Sequence, residues 1–360
     1  MTIDDGREVY SDLAIPPGET LADEIAARGM TQTELAARLG RPVQVVNEII
    51  RAKKAITDDT ALGLEKVLGI PAAFWVNLEQ NYRMTRARLR EREHLQAEEE
   101  WLQELPVKEM EKRGWIAVGR NAQEKVRALL QFFGVANVAA YRKTTEVLGF
   151  RISDNARLSP GALAAWLRKG ELEAQEIETR PFDSSVLLEA AHEARAMTED
   201  PPQVFAPRMT QLFADAGVAF VVIPELPKTG ANGVARWLTD RKAMIQLNLR
   251  YKWQDIFWFT LFHEVCHVLK HHTKRLIIDG TDKNGPIEDE ANQWAADFLV
   301  PPDAWSDFRR STPFNRTRIT AFARMIGISP GIVVGRLQRE RRLKYSEMVD
   351  LKGRFEWIND

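Results

Sequence analysis

Apolar residues recur at helical spacing through the first 82 positions and stop at sharp punctuation. In TQTELAARLG, Thr31 stands three residues before Glu34, the signature of a capping box, and Gly40 ends the run. PVQVVNEIIRAKK follows after a very short turn, with Val46, Ile49 and Ile50 on one face. TDDTALGLEKVLG and PAAFWVNLEQNYRM predict two more helices, the second opened by Pro71 in the favoured first position. Helical spacing returns in NAQEKVRALLQFFG and SPGALAAWLRKGELEAQ, and nothing between 106 and 200 carries a chemical signature. From Gly217 the period shortens. GVAFVVIPEL, GVARWLTD and KAMIQLNL are three short β-type runs separated by turn residues, and they predict a small antiparallel sheet. Two helices come next, FTLFHEVCHVLKHH and EDEANQWAADFLVPP, the latter ended by Pro301-Pro302. RITAFARMIGISPGIVVGRLQRERR then repeats in outline the helix, glycine turn and helix of the N-terminal region.

These patterns predict a multidomain, mainly α chain. Residues 11–82 form an all-α helix-turn-helix domain and 83–200 a helical connector and scaffold. Residues 201–308 form an α+β domain with the small sheet, and 309–360 a helical C-terminal tail. A length of 360 residues demands such a division, and 44 % apolar with 28 % charged residues is the balance of a globular protein. The first ten residues lack the basic and apolar segments of a secretory signal, and runs such as Val218–Pro224 are too short to span a bilayer. Cys266 is the one cysteine, which rules out an intramolecular disulfide and fits a reducing cytoplasm. A cytoplasmic protein with no membrane partner is the expectation.

Charge is distributed unevenly. Residues 1–82 carry eight Lys/Arg against thirteen Asp/Glu, whereas residues 309–344 carry ten Lys/Arg against the single Glu340. The basic end must therefore find its counter-charges outside its own segment.

The chemistry lies in HEVCH. His263 and His267 are four apart, so both imidazoles leave one helix face and can converge on one ion. Zinc in hydrolytic sites takes three protein ligands and a water, which Glu264 can deprotonate as general base. The third ligand must come from elsewhere. His271 continues the stripe but lies about 12 Å from His263 along a continuous helix at 1.5 Å per residue, too far to share a metal. It reads, with His272, as a surface residue. IEDEANQWAADFL is better placed, because Glu288 shares a face with Ala291, Ala295 and Leu299. Glu290 points roughly 200° away and is the fallback. Asn292, one turn on, is positioned to orient His263 or His267, and Cys266 reads as a packing residue.

HEVCH followed by EDEANQWAADFLVP, after VARWLTDRKAMIQLNLRYKWQDIFWFTLF, resembles the ImmA/IrrE family of gluzincin-like metallopeptidases over about residues 200–345. The resemblance implies a zincin-like domain holding Zn²⁺ (Mn²⁺ as a substitute in vitro), with Glu288 and Asn292 matching the family's Glu-x-x-x-Asp/Asn helix. It also implies a helix-turn-helix repressor as the protein substrate.

Residues 15–82 resemble an XRE-type domain of the HigA antitoxin kind. The second helix of its motif, about residues 42–52, is then the one that enters the major groove of operator DNA. Gln44 is placed to pair with adenine, Arg41, Lys53 and Lys54 to meet phosphates, and Asn47 is a further reader. Pro42, Val43 and Val45 depart from the usual polar pattern, and the domain's acidic balance opposes general attraction to DNA. The joint expectation is a homodimeric DNA-binding regulator with a zinc endopeptidase domain. The alternative is a HigA-like antitoxin with a structural metal site and a toxin as partner.

Overall fold

A computed structural model describes residues 13–147, 159–271, 277–278, 285–310 and 312–357. The chain divides into two units at Glu99/Glu100.

In the first unit the punctuation read from the sequence sets the helix ends. Its helices are α1 (Pro17–Ala27), α2 (Gln32–Leu39), α3 (Val43–Ile50), α4 (Asp58–Leu68) and α5 (Ala72–Ala97). Thr31 Oγ1 accepts from Glu34 N at 3.1 Å, while the Glu34 carboxylate turns to Arg38 at 2.6 Å rather than completing a capping box. Gly40 closes α2 with φ of 63°, a conformation that costs glycine nothing. Leu21, Ile25, Leu35, Val46, Ile49, Leu64 and Trp75 are the centre of the core. Glu79 on α5 reaches back to accept from Ile56 N at 2.9 Å, which ties the turn before α4 to the last helix. Because no Gly or Pro interrupts positions 72–97, α5 runs unbroken through residue 83, where composition alone suggested a boundary.

The second unit opens with α6 (Val107–Lys112), α7 (Ala122–Phe133), α8 (Val138–Val147), α9 (Pro160–Glu176), α10 (Ser184–Ala196) and α11 (Pro202–Asp215). The strands are β1 (Val218–Val222), β2 (Gly233–Thr239), β3 (Lys242–Leu247) and, after α12 (Gln254–Lys270), the short β4 (Ile277–Ile278). They lie in the order β1-β3-β2-β4. The antiparallel sheet expected from the sequence is a mixed one. β2 pairs antiparallel with β3 and with β4, but β1 runs parallel to β3, with Phe220 opposite Ile245. Burial explains the difference. Leu163, Trp166 and Leu167 of α9 cover one face of β1 and β3, and Phe213, Trp258 and Leu261 cover the other. A parallel strand covered on both sides reads as a continuous apolar run, and VAFVV is one.

α13 (Pro286–Leu299), α14 (Pro302–Arg309), α15 (Arg316–Ile326) and α16 (Pro330–Arg339) complete the unit. The segment from 309 on shares its core with the rest. Ile319, Phe322, Ile332, Val333, Val334 and Leu337 belong to the same buried cluster as Trp258, Leu261 and Val265 of α12. Gly335 lies where α16 meets the start of α12, and a Cβ there would stand 2.2 Å from Asp255 Oδ2. That carboxylate is buried and paired with Lys352 Nζ at 2.8 Å. Part of the basic segment finds its partners within the second unit. Arg316 pairs with Asp350, Arg318 lies 4.7 Å over Phe308, and Arg336 lies 4.7 Å over Trp305 while meeting Asp297. Arg195 on α10 donates to Phe298 O, Leu299 O and Ile326 O at 2.8–2.9 Å, so one guanidinium satisfies the C-terminal carbonyls of α13 and α15 together.

Candidate metal centre

α12 is apolar on almost every side because it lies between the sheet and the later helices. Phe257, Trp258, Leu261, Phe262, Val265 and Val268 fill the core. The two histidines four residues apart are as buried as these neighbours, at 1 % and 2 % exposure, a costly place for a polar ring without partners. The partner comes from α13, which packs alongside and presents Glu288 with Ala291, Ala295 and Leu299 on its buried face. His263 Nε2 lies 3.2 Å from Glu288 Oε2, His267 Nε2 lies 3.3 Å from Oε1, and the two Nε2 atoms are 2.9 Å apart. The nitrogens and a carboxylate oxygen all fall within 4.8 Å of one another.

Electrostatics favour deprotonated groups in this cluster. Burial pushes the His267 pKa down, against the raising influence of Glu288, so the ring is held neutral with a lone pair to offer. Burial also pushes Glu288 up, but the hydrogen bonds it shares with His263 and His267 outweigh it and hold the carboxyl at about 2. Three donor atoms converge on one point, and of these the lone-pair form of His267 and the charged form of Glu288 are favoured. Such an arrangement can hold a divalent cation.

Glu264 points from the same helix toward the first residue of β2 and is fully buried. A Cβ on Gly233 would stand 2.7 Å from its Oε1, so only the bare backbone of glycine admits the carboxylate there. A cleft of about 1760 Å³ opens beside the cluster, with Glu288, Asn292, Phe259 and Thr260 among its walls. Arg339 of α16 stacks 4.7 Å over Phe259, one turn before His263.

Glu290 does not join the cluster. Its carboxylate meets Lys270 Nζ at 2.8 Å and His271 Nε2 at 3.1 Å, and its side chain is 49 % exposed. His271 departs from its surface assignment. As the residue closing α12 it folds back on the preceding turn, its side chain only 9 % exposed and its Nδ1 3.0 Å from His267 Nδ1. The neighbour on the outer nitrogen of His267 is thus His271, while Asn292 lines the cleft. His272 lies outside the described residues. Cys266 is buried, which pushes its thiol up to about 12, an inert packing residue. The i+4 stripe continuing to His271 was the available sequence signal for its place, and nothing in the sequence announced Arg339 on Phe259.

In the first unit, the N-terminal half of α3 is open. Gln44 is exposed and bonded to Glu48 at 3.0 Å, and Arg41 is half-buried just before the helix. Lys53 and Lys54 are exposed in the turn beyond its end. Asn47 is turned inward, donating to Gln32 Oε1 at 3.1 Å, which joins α3 to α2.

Known families match part of each unit. Residues 21–75 match the helix-turn-helix family, and residues 219–338 match the family of IrrE N-terminal-like domains, which are peptidase domains. The chain thus joins an XRE-like helix-turn-helix domain to a peptidase domain of the IrrE/ImmA-like family. Among curated proteins, Virulence-associated protein I of Dichelobacter nodosus is 39 % identical over 70 residues. That stretch is 19 % of this chain, and the chain spans 65 % of the length of that relative. An addiction module antidote protein of the HigA family from Coxiella burnetii is 39 % identical, with 21 % of this chain and 82 % of that chain covered and a TM-score of 0.20. The Pseudomonas aeruginosa antitoxin HigA, solved with the higBA promoter, is 33 % identical, with 21 % and 83 % covered and a TM-score of 0.21. Among the described residues no helix is long and apolar enough to cross a membrane.

Proposed function

We propose that this protein is a cytoplasmic DNA-binding regulator whose second unit is a zinc endopeptidase acting on a repressor-type protein. The observation that carries it is the convergence of His263, His267 and Glu288 beside a cleft of about 1760 Å³. Two imidazoles and a carboxylate held ionised are the donor set that zinc takes in hydrolytic sites, so the residues fit the metal. When bound, zinc supplies a Lewis acid. The chain's own residues supply the proton chemistry. Glu264 takes the proton of the attacking water at its carboxylate and passes it to the leaving amine. Gly233 leaves room for that carboxylate. Arg41, Gln44, Lys53 and Lys54 are the operator contacts, with Gln44 reading a base and the cations meeting phosphates. Asn47 serves the α2–α3 contact first. As a homodimer, the chain would present two recognition helices to a two-fold operator.

A second reading has specific support. Glu264 is fully buried, and the relatives of the first unit include antidote proteins. Both features favour an antitoxin-like repressor in which the metal only braces α12 against α13 and the partner is a toxin. One experiment separates the two. The zinc-loaded chain is incubated with helix-turn-helix repressors encoded beside its gene, and discrete fragments are sought. Glu264→Gln keeps the metal and lowers cleavage by about 10²–10⁴ if Glu264 is the base. Cleavage within threefold of wild type removes Glu264 from that role, and no fragment with any co-encoded repressor favours the structural site.

A further inference from the structure

His267 has a second ring nitrogen, and its surroundings are built. Nδ1 lies 3.0 Å from His271 Nδ1, and His271 Nε2 lies 3.1 Å from Glu290 Oε2. Lys270 Nζ holds the other oxygen of Glu290 at 2.8 Å. With one ring hydrogen on each histidine, the hydrogen-bond directions along this line follow by elimination. An ionised carboxylate only accepts, so His271 Nε2 carries its hydrogen. His271 Nδ1 is then a lone pair, and His267 Nδ1 must be the donor to it. The lone pair of His267 is left on Nε2, the atom that faces His263 and Glu288. His263 has no such support, since its Nδ1 finds no hydrogen-bond partner among the described residues.

We propose that His271 and Glu290 are positioning residues that fix His267 in the Nδ1–H tautomer with Nε2 aimed at the metal. This rests on His263, His267 and Glu288 being the ligands. An imidazole held in this way loses no orientational freedom when it ligates, and its basicity rises through the hydrogen bond it donates. The bridge from Lys270 already satisfies Glu290, so a role in bracing α12 on α13 alone would not require His271. The relay accounts for a half-exposed carboxylate acting on a buried ligand through one intervening ring.

The test uses the full-length chain and zinc alone. In competition with a chromophoric chelator, His271→Leu weakens zinc binding by about 10–100-fold, and one zinc per chain is still reached at saturation. His271→Gln, whose side-chain carbonyl can accept from His267 Nδ1, regains most of that loss. Glu290→Ala alters an exposed residue and weakens binding by at least threefold with the fold intact. Before zinc is added, nitrogen-15 spectra of labelled histidines show His267 protonated on Nδ1 in the wild type and shifted toward the Nε2–H form in His271→Leu. The relay is overturned if His267 carries its proton on Nε2 in the wild type. It is equally overturned if His271→Leu binds zinc within threefold of wild type, or if Gln restores nothing in a chain of unchanged melting temperature. Failure of the ligand assignment looks different. There, Glu288→Ala still binds one zinc per chain, whatever happens at position 271.

Discussion

The helix pair α2–α3 and the pair α15–α16 share a local design and differ in what lies over the second helix. Each first helix is capped by a side chain, Thr31 accepting from Glu34 N at 3.1 Å and Asn315 from Arg318 N at 3.0 Å. Each ends at a left-handed glycine, Gly40 at φ 63° and Gly327 at φ 69°, and each second helix follows a proline turn. Yet Pro42, Val43 and Gln44 are exposed, whereas residues 331–334 are all buried. A helix reads DNA with its N-terminal residues, so α3 is available and α16 is not. Capping and turn residues specify the bend between two helices. Which face remains free is decided by contacts made far along the chain, here by α12 against α16.

The comparison can be broken most directly by placing a charge at matched depths. Val334→Asp puts an unpaired carboxylate into the buried cluster of the second unit, and should cost at least about 4 kcal/mol and unfold that unit. Val43→Asp, at a 42 % exposed position, should change stability by no more than about 0.5 kcal/mol. Urea unfolding measures both, and equal effects would abolish the distinction. Gly335→Ala should cost about 1–3 kcal/mol, because its Cβ would meet the carboxylate of Asp255 at 2.2 Å. A neutral result would mean that α16 stands farther from α12 than described. Gln44→Ala should weaken operator binding by about 1–3 kcal/mol and leave the melting temperature alone. Glu48→Ala, which releases Gln44 from its intrahelical bond, should not weaken it, and the gel shift of the two variants side by side decides. The smallest effects come from the shared caps. Thr31→Ala and Asn315→Ala should each cost about 1 kcal/mol in thermal unfolding, and a large difference between them would show that the two pairs are not built alike.

Much of this was legible along the chain, and the exceptions have physical causes. Helix ends at Thr31, Gly40, Gly69 and Gly327 follow from local backbone preferences, which a single sequence contains. Glu288 was preferred over Glu290 because helical periodicity fixes relative direction, and the structure turns the two carboxylates to different partners. Strand direction was not legible. Alternation reveals that a segment is extended, but β1 runs parallel to β3 because α9 and α12 cover both faces, a fact of tertiary packing. His271 lies inside the surface, where its sequence position does not place it, for a related reason. Its helix ends just there, with φ −111° and ψ 65°, and the ring returns over the turn it has left. Asn47, a further candidate for DNA contact on the same helix, donates its amide to Gln32 of the neighbouring helix, a pairing that a single sequence does not announce.

The contacts at the two ends of α13 make it a rod clamped against sliding. At one end Arg195 grips the carbonyls of Phe298 and Leu299, and at the other Lys270 and His271 grip Glu290. A slip of one residue would move the rod by about 1.5 Å and turn Glu288 by about 100°, carrying its carboxylate out of reach of both imidazoles. Small travel along the axis thus becomes a large swing at the side chain. The two clamps act as a mechanical stop, one of them about ten residues from the carboxylate whose aim it preserves.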